Sequence, residues 1–551
     1  MILSRTTSIL TLLVILFAAP ALSTLCASPQ AASPQATDSE DEWSDVIRTR
    51  WADPHRSPMT YAEFLRLHPQ DTPFSVASEE TTPTGGRNGG GSGLLLLLVN
   101  SDLKPKIQTA LDGYVADIVE EGYTVTVLEA LGGTPKDLKA TITGYLGSGL
   151  IGVLLVGDFA VPWYEVDGES FPCDLFYMDL DGDWIDSEPN GVYDQHVNNE
   201  TPEIFVGRLT AGPLQGLGFG TEEAKVNKYF AKAHDYRRGL LTADYRALAY
   251  PDDDWSTFKA CGMTNIYDDT TVVNVHSETT GEDYRRRLTE NYEWIHVCVH
   301  SSPWAHYFSP SGMVDFWDVR NTDPIAHFYN LFACSNCRYV ETDYMGGWYV
   351  FADTYGLAAV GSTKSGSMLD FKSFYGPLGE HKTLGQAFKE WWIVQHPYTH
   401  SDKTWFYGLT LLGDPLLVPA EAQVFAATPR TISASNGGWI FFEFDLNEKH
   451  YAYRSYEMLA STSGTTPRTP VENILVPLVF DPVTKLVHSN ANSSMFINFK
   501  GNLNLLGDGS ATFNLKHTLD PSWVGTVIDF CLVITQPADY ATRPLSVLIQ
   551  P

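Results

Sequence analysis

Basic residues are scarce in this 551-residue chain: 36 Lys and Arg stand against 66 Asp and Glu, a formal net charge of −30. A surface of that sign repels phosphate backbones and anionic headgroups, which argues against nucleic acid and acidic membranes as partners. No apolar run of membrane-crossing length follows the first 23 residues, so no membrane span is expected. No repeat of fixed period is present, which excludes solenoids and propellers. Cysteine is sparse and odd in number: seven residues, at 26, 173, 261, 298, 334, 337 and 531, cannot all pair within one chain.

What is present is a globular composition, 44% apolar and 13% aromatic, in a chain too long for one core. Arg5, the apolar run Ile9 to Phe17 and the small residues around Ala21 predict a signal peptide over 1–23. The expected destination is secreted or extracellular, periplasmic or at the cell surface. Residues 24–92 are rich in Ser, Pro, Thr, Asp and Glu and end in a Gly-rich run, which reads as a pro-segment and linker. Within it, Trp43 to His68 carries enough aromatics to dock. From residue 93 apolar strand-like runs alternate with amphipathic helical ones, which predicts a parallel sheet covered on both faces. We place an N-terminal α/β subdomain at 93–215 and a second, carrying the chemistry, at 216–419. Beyond residue 420 short alternating runs such as Trp439 to Phe444 predict an immunoglobulin-like β-sandwich over 420–551, without helix.

Chemistry collects at three predicted strand ends, where open parallel sheets place their ligands. One strand ends in Asp252-Asp253-Asp254, one in His300-Ser301-Ser302 and one in Cys334-Ser335-Asn336-Cys337. A cysteine with a nearby imidazole is a nucleophile with its acid/base partner, and an acid behind the imidazole orients it. The N–H groups of Cys334 and Ser301 are candidate oxyanion donors. His296 shares a strand face with His300 but lies within the apolar run, which reads as a packed core histidine; Cys298 reads as a small hydrophobe. A separate acidic loop offers Asp179, Asp181, Asp183 and Asp186, hard oxygen ligands on a Gly-containing turn that suit Ca2+. Trp184 stands where an EF-hand needs Gly, so this is not that loop.

The chain resembles the gingipain-type cysteine peptidases, which have a caspase-like fold. The resemblance rests on the Leu-rich first strand, Leu155-Val156-Gly157-Asp158, Asp174-Leu175-Phe176-Tyr177, Ile204-Phe205-Val206-Gly207-Arg208, His300-Ser301, Ala333-Cys334 and Leu412-Gly413-Asp414-Pro415, in that order. It implies an endopeptidase acting on protein or peptide substrates, with Cys334 as nucleophile, His300 as its partner and Asp254 (or Asp252 or Asp253) as the supporting acid. It also implies structural calcium. A preference for Arg or Lys before the cut would place an acid in the pocket, with Asp268 and Asp269 in a suitable region, and would make Arg87 a self-processing site. Two residues depart from the family pattern: Ser301 and Cys337 stand where Gly is usual. Cys337 invites a masking bond to Cys334, and the two departures together leave an inactive, calcium-binding surface module as the alternative. Oligomeric state is left open.

Overall fold

A computed structural model describes residues 43–551 except 70–71, 84–92, 216–219, 239, 381, 420–424, 447–450, 466–467, 473, 517, 539 and 543. The expected signal segment 1–23 and Arg87 lie outside the described residues.

Among the described residues a 13-stranded sheet dominates. Its main path uses β1 Ser75–Thr82, β2 Leu94–Asn100, β3 Thr124–Leu131, β4 Leu150–Val156, β5 Phe205–Leu209, β6 Ala247–Pro251, β7 Thr270–Val272, β8 Trp294–Ser302, β9 Phe328–Ala333, β10 Ala358–Ser362 and β11 Leu409–Gly413, in the spatial order β1-β3-β2-β4-β5-β11-β10-β9-β8-β6-β7. The central strands are unbroken apolar runs because both their faces are covered: every residue of β2, β8 and β9 is buried. Helices supply the cover. Lys104–Glu120 and Glu222–Arg237 pack together, and Phe371–Gly379 packs on Leu384–Gln395.

Pairing is parallel within β3-β2-β4-β5-β11 and within β10-β9-β8-β6-β7, and antiparallel where β11 meets β10. The sheet therefore consists of two parallel halves running in opposite directions. The C-terminal ends of β6, β8 and β9 share one edge, while β4 ends at the other. Asp269 precedes β7, and its carbonyl accepts from Ala247 N–H at the start of β6. Asp268 and Asp269 thus lie at the far edge from His300, and the expectation of a substrate-pocket acid there is overturned by strand direction.

The residues before β2 are built into the fold. A capping box of Thr60 and Glu63 starts the helix Tyr61–Leu67, and β1 adds an antiparallel edge to β3. At the C-terminal end, a four-stranded and a six-stranded sheet enclose a core that includes Ile440, Phe442, Phe444, Met458, Phe499, Phe530 and Val547. Alternation explains the packing: in Gly438–Asp445 those first three residues point inward while Trp439 and Phe441 are exposed. This region does contain a helix, Pro482–Ser489, against the expectation of none; Asp481 caps it and Pro482 opens it. No described helix is long and apolar enough to cross a membrane.

Candidate active site

β8 and β9 lie side by side and parallel, with Val299 opposite Ala333. The next residues, His300 still within β8 and Cys334 just past β9, therefore stand side by side at the same level. On the other flank of β8, β6 stays in register up to Pro251 opposite Cys298. The chain then turns through the 3-10 segment Asp253–Phe258, which brings Asp254 to the imidazole. Asp254 Oδ2 lies 2.8 Å from His300 Nε2, and the Trp255 ring meets the same imidazole edge-on at 4.7 Å. The other two acids of the triplet go elsewhere. Asp253 pairs with His276 at 3.1 Å. Asp252 is buried and accepts from Ser309 N–H at 2.9 Å, and burial pushes its carboxyl up to about 6.

With Nε2 facing the carboxylate, the lone pair of His300 Nδ1 is free to act as a base. That lone pair accepts the backbone N–H of Arg50 at 3.2 Å. Arg50 belongs to an extended strap, residues 47–59, laid across the site. Trp51 pairs in parallel with Ser301, and Ala52 N–H donates to the Ser301 carbonyl at 2.9 Å. Thr49 is fully buried; its hydroxyl donates to the Gly366 carbonyl (3.1 Å) and accepts from Gly366 N–H (3.0 Å). Trp255 Nε1 donates to the Ile47 carbonyl, Trp51 meets Trp304 edge-on, and Met59 is held at both its backbone groups by Glu341 and Arg338. Composition marked this stretch as able to dock; nothing in it indicated the docking place.

The Cys334 thiol is buried, with Ser335 Oγ at 3.4 Å and Ser365 Oγ at 3.5 Å. Burial pushes it up to about 11, and burial also lowers His300 against the opposing pull of Asp254. Under the strap burial therefore disfavours the charged form of both groups. Ser335 sits at φ +55°, a left-handed turn directly after the strand that only a tightly held residue keeps. Its N–H donates to the Lys364 carbonyl, and Cys337 N–H to that of Ser362. Ser301 ties the two strand ends together, its hydroxyl donating to the Cys334 carbonyl at 2.6 Å. Two residues that sequence reasoning missed complete the surroundings. Glu169 accepts from Ser365 N–H at 2.9 Å and lies 3.6 Å from the Lys364 ammonium. Ser365 itself follows β10, one strand beyond the nucleophile.

Cys334 and Cys337 are both free thiols. The side chain of Cys337 is wedged against Gly346 and Gly361, where an added Cβ would come within 2.7 and 2.6 Å of its sulfur. The expected masking bond to Cys334 is therefore absent from this arrangement.

The acidic loop does not assemble as a four-residue set. Asp179 and Asp181 converge with Glu203 within 4.8 Å. Asp183 instead accepts from Asn198, and Asp186 accepts the N–H groups of Asn190 and Gly191. Asp179 is fully buried and also accepts from Gly182 N–H, Trp184 Nε1 and His196. Burial raises the Glu203 carboxyl, and the charges of Asp179 and Asp181 add to it against the opposing bond from Leu180 N–H.

Residues 143–420 match the model of peptidase family C25. No curated protein and no solved structure matches the chain.

Proposed function

Since that match spans half of its length, the chain belongs to peptidase family C25, and we propose that it is an exported cysteine endopeptidase held latent by its own strap. The observation that carries the reading is the Asp254–His300 contact of 2.8 Å on the strand next to Cys334. It favours the tautomer that leaves Nδ1 as the base.

When the strap leaves, water and substrate reach the cleft and His300 Nδ1 loses its N–H partner. His300 takes the Cys334 proton, and the thiolate attacks the peptide carbonyl. The N–H groups of Ser301 and Cys334 hold the oxyanion. The imidazolium then gives its proton to the departing amine, and a water deprotonated by His300 releases the acyl group from sulfur. Asp254 stabilises the imidazolium throughout.

A preference for Arg or Lys before the cut is proposed with Glu169 as the pocket acid, the carboxylate whose charge acts on Cys334. Calcium is proposed at Asp179, Asp181 and Glu203, outside the chemistry, where it would offset three crowded carboxylates. Its removal by chelation is expected to lower the melting temperature of wild-type protein but not of Asp181→Asn.

A thiol-reactive peptide probe, run over basic and neutral residues before the cut on protein with and without the strap, tests the reading. Labelling is expected after strap removal, best with Arg or Lys, and absent in Cys334→Ala. Labelling that survives Cys334→Ala, or that never occurs in reduced, strap-free protein, would overturn it.

A further inference from the structure

A second constellation lies one step deeper on the strand that carries His300. His296, Cys298 and His300 alternate along β8 and face the same side. Cys261 comes from the segment after β6, the one that also carries Asp254 and Trp255, and its sulfur lies 3.8 Å from that of Cys298. The three donor atoms of Cys261, His296 and Cys298 all lie within 4.8 Å of one another, and all three residues are buried.

We propose that Cys261, His296 and Cys298 bind a thiophilic d10 cation, Zn2+ or Cu+, that pins the loop carrying Asp254 to the strand carrying His300.

Four observations support it. First, Nε2 of the fully buried His296 has no hydrogen-bond partner among the described residues, an expensive state for an imidazole unless something ligates it. Second, its Nδ1 meets Tyr375 Oη at 2.7 Å. Donation from Nδ1–H to that hydroxyl presents the Nε2 lone pair to the sulfurs, as outer partners of ligating histidines do. Third, Zn–S bonds of about 2.3 Å at the tetrahedral angle place two sulfurs about 3.8 Å apart, the separation found here. Fourth, Cys261 is held at φ +49°, backbone strain that aims its thiol at β8. The donor set also decides the class of metal. Two sulfurs and an imidazole select soft ions over calcium or magnesium. On binding Zn2+ the two thiols release their protons, and the resulting thiolates cancel the charge of the ion, so the pair can enter a dry interior.

The site is remote from the peptide bond and acts by positioning. Cys261 closes the turn that begins at Asp252, so an ion there restrains Asp254 and Trp255 against His300. The test uses the full chain carrying Cys334→Ala, which removes the other reactive thiol. The protein is reduced, loaded with Zn2+ or, without oxygen, with Cu+, dialysed, and its metal content measured. One equivalent of one of these ions is expected to stay bound. It should be lost in Cys261→Ser and Cys298→Ser, and held at least about tenfold more weakly in His296→Gln, a milder change if the serine variants do not fold. Co2+ in place of the native ion should give thiolate-to-cobalt charge-transfer absorption. Retention unaffected by Cys261→Ser or His296→Gln would overturn the proposal, as would no retention at all. A Cys261–Cys298 disulfide, seen as two missing hydrogens in the joined peptides and persisting when the metal is offered to unreduced protein, would overturn it equally.

Discussion

Cys337 illustrates how a residue that departs from a family pattern is absorbed. A side chain where glycine is usual needs room, and Gly346 and Gly361 provide it: both lack the Cβ that would strike the sulfur. A Gly361→Ala change should therefore overpack this contact and cost about 1–3 kcal/mol in chemical denaturation. Combined with Cys337→Gly the cost should shrink, with a coupling of about 0.5–3 kcal/mol between the two positions. Additive costs would mean that the thiol and Gly361 do not share that space. Asp254 makes a different kind of prediction. Asp254→Asn keeps the shape but can present an N–H to His300 Nε2, which favours the tautomer with its proton on Nδ1. Turnover should fall by about 10²- to 10⁴-fold, with KM changed far less, because the imidazole and not substrate binding is disturbed. A loss confined to KM would remove Asp254 from the orienting role.

At the scale of elements the strap is the controlling piece, because it spends the backbone of β8 and the base of the site on an internal partner. Thr49→Ala removes two hydrogen bonds to Gly366, about 1 kcal/mol each, and Trp51→Ala removes the edge-on contact with Trp304. The double variant should open more often, and Cys334 should react with a small alkylating reagent at least about tenfold faster than in the parent. Equal rates would mean that the strap does not limit access. The strap also marks the boundary of what the sequence discloses. Leu94 to Val99 announces a buried strand because nothing polar interrupts it, and Trp294 to Val299 does so with His296 as its one polar residue. The order His300 then Cys334 fits two strands and a crossover. Which of three consecutive aspartates faces the histidine is a different matter. In a 3-10 turn neighbouring side chains point about 120° apart, and only the turn's placement selects Asp254. Glu203 joins Asp179 and Asp181 from 22 residues further along the chain, a distance no loop motif spans. The strap's partner is invisible for the same reason: its contacts join residues 208 to 356 positions apart.

For the whole molecule, three of the motifs that carry the family resemblance, those at Asp174, Arg208 and Asp414, lie at the seam between the strands before residue 216 and those after it, away from the chemistry. Asp174 accepts two-pronged bonds from Arg208 of β5 at 2.7–2.9 Å and further bonds from Thr410 of β11 and Tyr339 beyond β9. Gly207 faces the Gly413 carbonyl so closely that a Cβ would come within 2.6 Å of it. Asp414 next to it accepts from the buried Arg237 at 2.6 Å. These contacts join β5 to β11, the parallel pair through which the strands before residue 216 and those after it become one sheet. Asp174→Ala should leave Arg208 buried without its counter-charge and cost about 3–5 kcal/mol. Replacing both by apolar residues of similar size, Asp174→Leu with Arg208→Met, should recover much of that loss, since the penalty lies in the stranded charge more than in the missing bond. The shape of the transition separates two kinds of seam. If the seam makes the halves cooperative, urea unfolding of Asp174→Ala followed by tryptophan emission and by Cys334 accessibility should shift together to lower denaturant. If the halves fold independently, Cys334 should become accessible in a step separate from the first loss of tryptophan signal, and the seam would then be a contact between domains and not the middle of one sheet.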